Sequence, residues 1–94
     1  MNRNDLLEFV WDQGNLDKNL KKHHVSNEEI EQTFWDPNKK ALKDHKHSEL
    51  ENRQILLGKT FAGRLLFIVF TVRQGKIRVI SARDLNKKEF NLYQ

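Results

Sequence analysis

Apolar positions along the chain fall into short groups whose spacing changes from helix-like to strand-like at its middle. Leu6, Leu7, Phe9, Val10 and Trp11 form a short apolar start of edge-strand or second-sheet character. Asp12 then reads as a helix N-cap, since its carboxylate accepts from free amides of a first turn, with Leu16 and Leu20 following at i, i+4 and His23 or His24 completing the stripe. Ser26-Asn27-Glu28-Glu29 matches a capping box flanked by Val25 and Ile30 at staple positions. Phe34 extends that face, and Pro37 is expected to end the helix because the residue before proline avoids the helical region.

Residues 38–52 carry no apolar period and read as a polar loop, with at most a partly helical stretch around Ala41 and Leu42. Three strand patterns follow, over 53–59, 64–73 and 76–83, separated by a Gly-containing turn and by Gln74-Gly75. The middle one is apolar almost throughout, which predicts a central strand covered on both faces. Asn86 with Glu89, and Leu85 with Phe90, repeat the capping box and staple before a closing helix. The predicted order is β-α-α-β-β-β-α, an α+β fold in which an antiparallel sheet is packed by helices, as a single domain over residues 1–94.

Composition narrows the function classes. With no cysteine, disulfides and thiolate chemistry are excluded. The longest apolar run, 65–70, is too short to span a bilayer, and no signal-peptide pattern opens the chain, so a soluble cytoplasmic protein is expected. Charge is unevenly divided: residues 1–51 hold eight Lys/Arg against eleven Asp/Glu, whereas 52–94 hold nine against two. A basic unit of this kind suits a polyanionic partner.

The hairpin order places the cations. In a three-stranded meander Lys59, Arg64 and Arg83 share one end, beside the start of the closing helix with Lys87 and Lys88, while Arg53, Arg73, Lys76 and Arg78 gather at the other. A seven-residue strand is about 20 Å long, so the two groups do not grip one phosphate together. Four imidazoles occur as His23-His24 and His45-x-His47, without the spacing of a strong metal motif, and no P-loop, dinucleotide or nucleophile-elbow signature is present. No metal or cofactor is expected. Phe67 and Phe70 read as core positions on opposite faces; Phe61, in a turn, is the one aromatic suited to a partner or base.

The run Trp11-Asp12, Asn19, Lys22-His23, Val25-Ser26 and Glu28-Glu29 resembles the opening of BrnT-type toxins. The resemblance continues through Asp36-Pro37, His47-Ser48-Glu49, Glu51, Arg53, Gly58, Gly63-Arg64 and Phe70-Thr71. It ends with Arg78, Ile80-Ser81-Ala82-Arg83, Glu89 and Tyr93. It implies a RelE-like fold and a type II toxin that cleaves RNA, is held inactive by a BrnA-type antitoxin, and meets promoter DNA only through that antitoxin. Two positions depart from the family's pattern: Asn15 stands where lysine is usual, with Lys18 one turn on as a partial replacement, and His24 stands where glycine is usual.

Metal-free RNA cleavage needs a base for the ribose 2′-OH, an acid for the leaving oxygen and cations for the phosphorane. Arg64 and Arg83 are expected to stabilise the phosphorane, since guanidinium offers planar paired donors. Lys59, Arg53, Arg78, Lys22, Lys87 and the Tyr93 phenol are the supporting RNA contacts, and His23 and His47 the acid/base candidates. Two other readings fit the same surface: a non-catalytic nucleic-acid-binding module, or a degenerate toxin kept as a structural partner or corepressor.

Overall fold

The computed structural model describes residues 7–11, 18–44 and 52–94. Five strands form one mixed sheet in the order β1-β5-β4-β3-β2, where β1 is Phe9–Val10, β2 Lys40–Lys43, β3 Gln54–Lys59, β4 Leu65–Arg73 and β5 Lys76–Asp84. All neighbours are antiparallel except β1, which runs parallel to β5 along the far edge. Among the described residues three short helices accompany it: α1 (Lys18–His23), α2 (Asn27–Thr33) and α3 (Lys87–Tyr93). Among the described residues, no helix is long and apolar enough to cross a membrane.

The chain is thus α+β, with one strand more than the predicted order. That strand, β2, lies inside the stretch expected to be a loop, and all four of its residues are exposed. An edge strand held only by backbone pairing to β3 needs no apolar alternation, so its sequence carries no strand signal. The bounds of β3, β4 and β5 fall within a residue of the predicted ones, and between β4 and β5 Gln74 (φ 53°) and Gly75 (φ 77°) form the positive-φ pair that a two-residue hairpin requires.

α1 and α2 cover one face of the sheet. There Val25, Ile30 and Phe34 meet Leu56, Leu66, Ile68, Phe70, Ile77, Val79 and Ala82. Phe34 stands edge-on to both Phe9 and Phe70, with centroids 5.1 Å apart in each pair, and so ties β1 into this core. Gly58 is needed where α2 crosses β3: a Cβ there would lie 2.8 Å from Thr33 Cβ and 2.9 Å from Thr33 O.

The opposite face is only partly covered, which corrects the expectation for β4. Its Leu66, Ile68 and Phe70 are buried, but Leu65, Phe67 and Val69 are half-buried. α3 is two turns long, lies against β3 and shields only one end of that face. α2 also ends earlier than Pro37 implied, at Thr33, because Phe34, Trp35 and Asp36 donate i→i−3 hydrogen bonds that tighten the chain after it out of the α-helical pattern.

α1 docks by polar contacts and not by an apolar stripe. Leu20 is exposed, whereas Asn19 is buried. A register shift between β4 and β5 makes Ile80 the extra residue of a bulge, which removes backbone groups from the ladder. Lys18 Nζ donates to Ile80 O at 2.7 Å, and Asn19 Oδ1 accepts from Ala82 N at 3.0 Å. Lys18 is therefore spent on the bulge and does not replace the cation missing at position 15, which lies outside the described residues with Asp12 and Leu16. After α1, His24 sits at φ 58°, the left-handed region that favours glycine.

Candidate active site: an arginine–carboxylate chain at one end of the sheet

Each of the two later helices begins with a complete capping box. In α2, Ser26 Oγ accepts from Glu29 N at 3.1 Å while Glu29 Oε1 accepts from Ser26 N at 2.9 Å. In α3, Asn86 Oδ1 accepts from Glu89 N at 2.9 Å and Glu89 Oε1 from Asn86 N at 3.0 Å. Both glutamates retain acceptor capacity, and an arginine fills it in each case.

Arg64 precedes β4 on the helix-covered side. It donates from Nε to Asp84 Oδ1 at 2.7 Å and from Nη2 to Asp84 Oδ2 at 3.1 Å. Its Nη1 lies 3.3 Å from Glu29 Oε2 and donates to His24 O at 2.7 Å, and Nη2 donates to His23 O at 3.2 Å. One guanidinium thus closes the end of α1, the start of α2 and the end of β5. Arg83 projects from the opposite face of the same sheet end. It makes a bidentate pair with Glu89 at 2.8 and 2.7 Å, donates to Asp84 O at 3.1 Å and lies 4.1 Å above the centre of the Phe67 ring.

The result is a chain of contacts: Arg64 links the Glu29 and Asp84 carboxylates, and the separate Arg83–Glu89 ion pair joins them only through the backbone carbonyl of Asp84. Hydrogen bonding from Ser26 N, then from Arg64, holds the Glu29 carboxyl below its ordinary value. The Arg64 guanidinium does the same for Asp84, with a smaller contribution from the charge of His23, and Arg83 does so for Glu89. Both guanidiniums are held more firmly charged by hydrogen bonds to their carboxylates, Arg64 chiefly by Asp84 and Arg83 by Glu89.

The remaining predicted residues divide clearly. Lys59, Arg64, Arg83 and Lys87 lie toward the end where Lys59 pairs with Leu65 and Leu66 with Asp84; His23 and Lys22, in the last turn of α1, join them there. Arg53 and Arg78 belong to the other end, with Gln54 paired to Phe70 and Arg78 to Thr71. His47 lies outside the described residues. Tyr93 is buried, not presented to a ligand: its hydroxyl donates to Asp36 Oδ2 at 2.7 Å, and burial followed by that bond pushes its pKa up to about 12. Burial alone would raise the Asp36 carboxyl, but bonds from Tyr93, Asn38 N and Lys59 N, with the Lys59 charge, outweigh it and hold it low. Tyr93 therefore anchors α3, which corrects its assignment as an RNA contact.

The carboxylates were not among the predicted site residues. Their signal was the capping boxes themselves, which fix where Glu29 and Glu89 stand but not what approaches them.

A family model described as the ribonuclease toxin BrnT of type II toxin–antitoxin systems matches residues 11–89. The chain belongs to the BrnT family. None of the individually curated proteins matches it. BrnT membership makes this a ribonuclease toxin of a type II toxin–antitoxin system. Arg64, Arg83 and Glu89 all fall within the matched span.

Proposed function

We propose that this BrnT protein is an endoribonuclease of RelE-like topology that cleaves RNA without a metal ion and is neutralised by a BrnA-type antitoxin. On this reading it acts in the cytoplasm and reaches promoter DNA only through the antitoxin. The observation that carries the reading is that one end of the sheet is bordered by His23 and Lys22 from its helix-covered face and by Arg83 from its other face, with Lys59 and Lys87 at the same end, so that a phosphodiester at this rim faces both. Glu29, Asp84 and Glu89 spend their oxygens on arginines and cap amides, so the groups left to act on a phosphodiester are cations and an imidazole.

In this mechanism the lysines bring the phosphate to the sheet end, and His23 takes the 2′-OH proton or delivers one to the leaving 5′ oxygen. Arg83 supplies charge to the pentacovalent transition state. It is the better placed arginine, since its contacts leave its side chain 38% exposed against 28% for Arg64. Arg64 holds the frame on which His23 stands, while Arg53 and Arg78 steer the RNA chain from the far end. His47 is the alternative acid or base.

Incubation of the purified protein with defined RNA, with and without EDTA, tests this. The expected result is products ending in a cyclic phosphate in both conditions, absent for Arg83→Ala and reduced for His23→Ala. Cutting abolished by EDTA, or unchanged in Arg83→Ala, refutes the mechanism. The closed arginine–carboxylate chain favours one second reading, a degenerate toxin or a binding module in which this end is structural. Intact RNA with salt-sensitive binding is its signature.

A further inference from the structure

A groove of about 640 Å³ opens on the side of the arginine–carboxylate chain facing α3. Its walls are the apolar side chains of Leu65, Leu85 and Phe90, and Asp84, Asn86, Lys87 and Asn91 complete the lining. Lys87, Phe90 and Asn91 recur at i, i+3 and i+4, so one face of α3 presents a cation, an aromatic ring and an amide to the same space. Phe90 is 41% exposed although its staple partner Leu85 lies beside it. A large aromatic surface is thus left open at the wall of a recess.

We infer that this groove receives an unstacked base of single-stranded RNA, held on the Phe90 ring and read by the Asn91 amide, and that it sets which base flanks the cut. The inference rests on the ribonuclease reading for the cut, but not for the binding. Three features select a nucleotide over an apolar peptide side chain. A carboxamide offers a donor and an acceptor together, matching the edge of a base; an aliphatic side chain would leave both unpaired. The charge at the rim is positive: Lys87 lines the groove and Lys88 follows it, while the Asp84 carboxylate is already held by Arg64. The volume exceeds that of one base, leaving room for the sugar and phosphate that lead toward Arg83. Asp84 lines the groove and its backbone carbonyl accepts from Arg83, so a base seated here places its own phosphate beside the proposed site.

The test uses single-stranded oligonucleotides with 2′-fluoro sugars, which lack the attacking hydroxyl, carrying 5-iodouracil at each position in turn. Irradiation with the wild-type protein, followed by mass mapping, is expected to place the cross-link on Phe90. In parallel, cleavage of a randomised RNA pool is profiled for wild type, Phe90→Leu and Asn91→Ala. Leucine keeps the contact with Leu85, and Asn91 is exposed, so both variants are expected to melt as the wild type does. Phe90→Leu is expected to lower cleavage about ten- to a hundredfold, the range for losing one base–aromatic stack. Asn91→Ala is expected to flatten the preference at one position next to the cut. Cross-links confined to Phe61 or Phe67, together with an unaltered profile for Asn91→Ala, overturn the inference and leave the ribonuclease standing. A Phe90 cross-link in a protein that cuts no RNA has the opposite meaning: the groove binds bases and the ribonuclease reading fails.

Discussion

Arg64 and Arg83 stand at the same end of the same sheet, each gripping the glutamate of a helix capping box, yet their surroundings differ. Arg64 faces the helix-covered side and donates to two carboxylates and two backbone carbonyls that end α1. Arg83 faces the open side and has one carboxylate, one backbone carbonyl and an aromatic ring. A guanidinium with every donor directed at protein is a clasp. One with its flat face on a ring and its edge toward solvent has donors to offer an incoming phosphate. Position at a strand end therefore does not assign a role; the number of acceptors already satisfied does.

The sharpest way to break this comparison is to remove each arginine and read activity and stability separately. Arg83→Ala is expected to lower RNA cleavage by about a hundredfold or more, the usual loss for one donor to a transition-state charge. Its unfolding free energy should fall by no more than about 1 kcal/mol, as for an exposed pair. Single-turnover cleavage and urea unfolding measure the two effects, and a stability loss that accounts for all the lost activity would erase the distinction.

Arg64→Ala should show the reverse weighting. It leaves Glu29, Asp84 and the carbonyls of His23 and His24 without their charged donor, a cost of about 2 kcal/mol after allowance for partial exposure. The urea midpoint should fall at unchanged slope. Arg64→Lys should not restore it, because a single ammonium does not span four acceptors in fixed directions.

Acid sharpens the same contrast. Glu29, Asp84 and Glu89 have folded pKa values below their ordinary 4.5, 3.8 and 4.5. Their contribution to stability is therefore full above those values and lost as pH falls below them through the folded ones. Two of the three carboxylates face Arg64, so Arg64→Ala should flatten more of this acid limb than Arg83→Ala does. Tyr93 gives the opposite limb. With its pKa raised from 10.0 to about 12, its contribution is present below pH 10 and lost as pH rises toward 12. Tyr93→Phe should lack that alkaline loss, as equilibrium unfolding across pH would show.

The smallest expected effect is a gain. His24→Gly relieves a left-handed residue while keeping the carbonyl that Arg64 holds, and should raise stability by about 0.5–1 kcal/mol. A loss would mean that the His24 side chain contributes a contact of its own.

Much of the secondary structure was legible because its signals are local. The two capping boxes, the Gln74-Gly75 turn and the three long strands each depend on residues within a few positions of one another. β2 was not legible, since pairing with β3 and not its own pattern makes it a strand. Nor was the docking of α1: its Leu20 suggested an apolar face, while a bulge across the sheet called for Lys18 and Asn19 instead. The site was legible in part. The meander brought Lys59, Arg64 and Arg83 to one end, but the alternation of strand positions alone did not reveal that Arg64 and Arg83 point to opposite faces.

Residue order alone established the helices and strands other than β2, that the C-terminal half is basic, and which end of the meander holds each cation. Those follow from backbone geometry and spacing, whose range is a turn of helix or the length of a strand. Only the folded chain decided that Glu29 would reach Arg64, that Arg64 would hold the Asp84 carboxylate while Arg83 takes its backbone carbonyl, and that Tyr93 would be buried on Asp36. Such contacts depend on how α2 and α3 pack on opposite sides of the sheet. A charge near a phosphate site acts through whatever donors remain after that packing is complete.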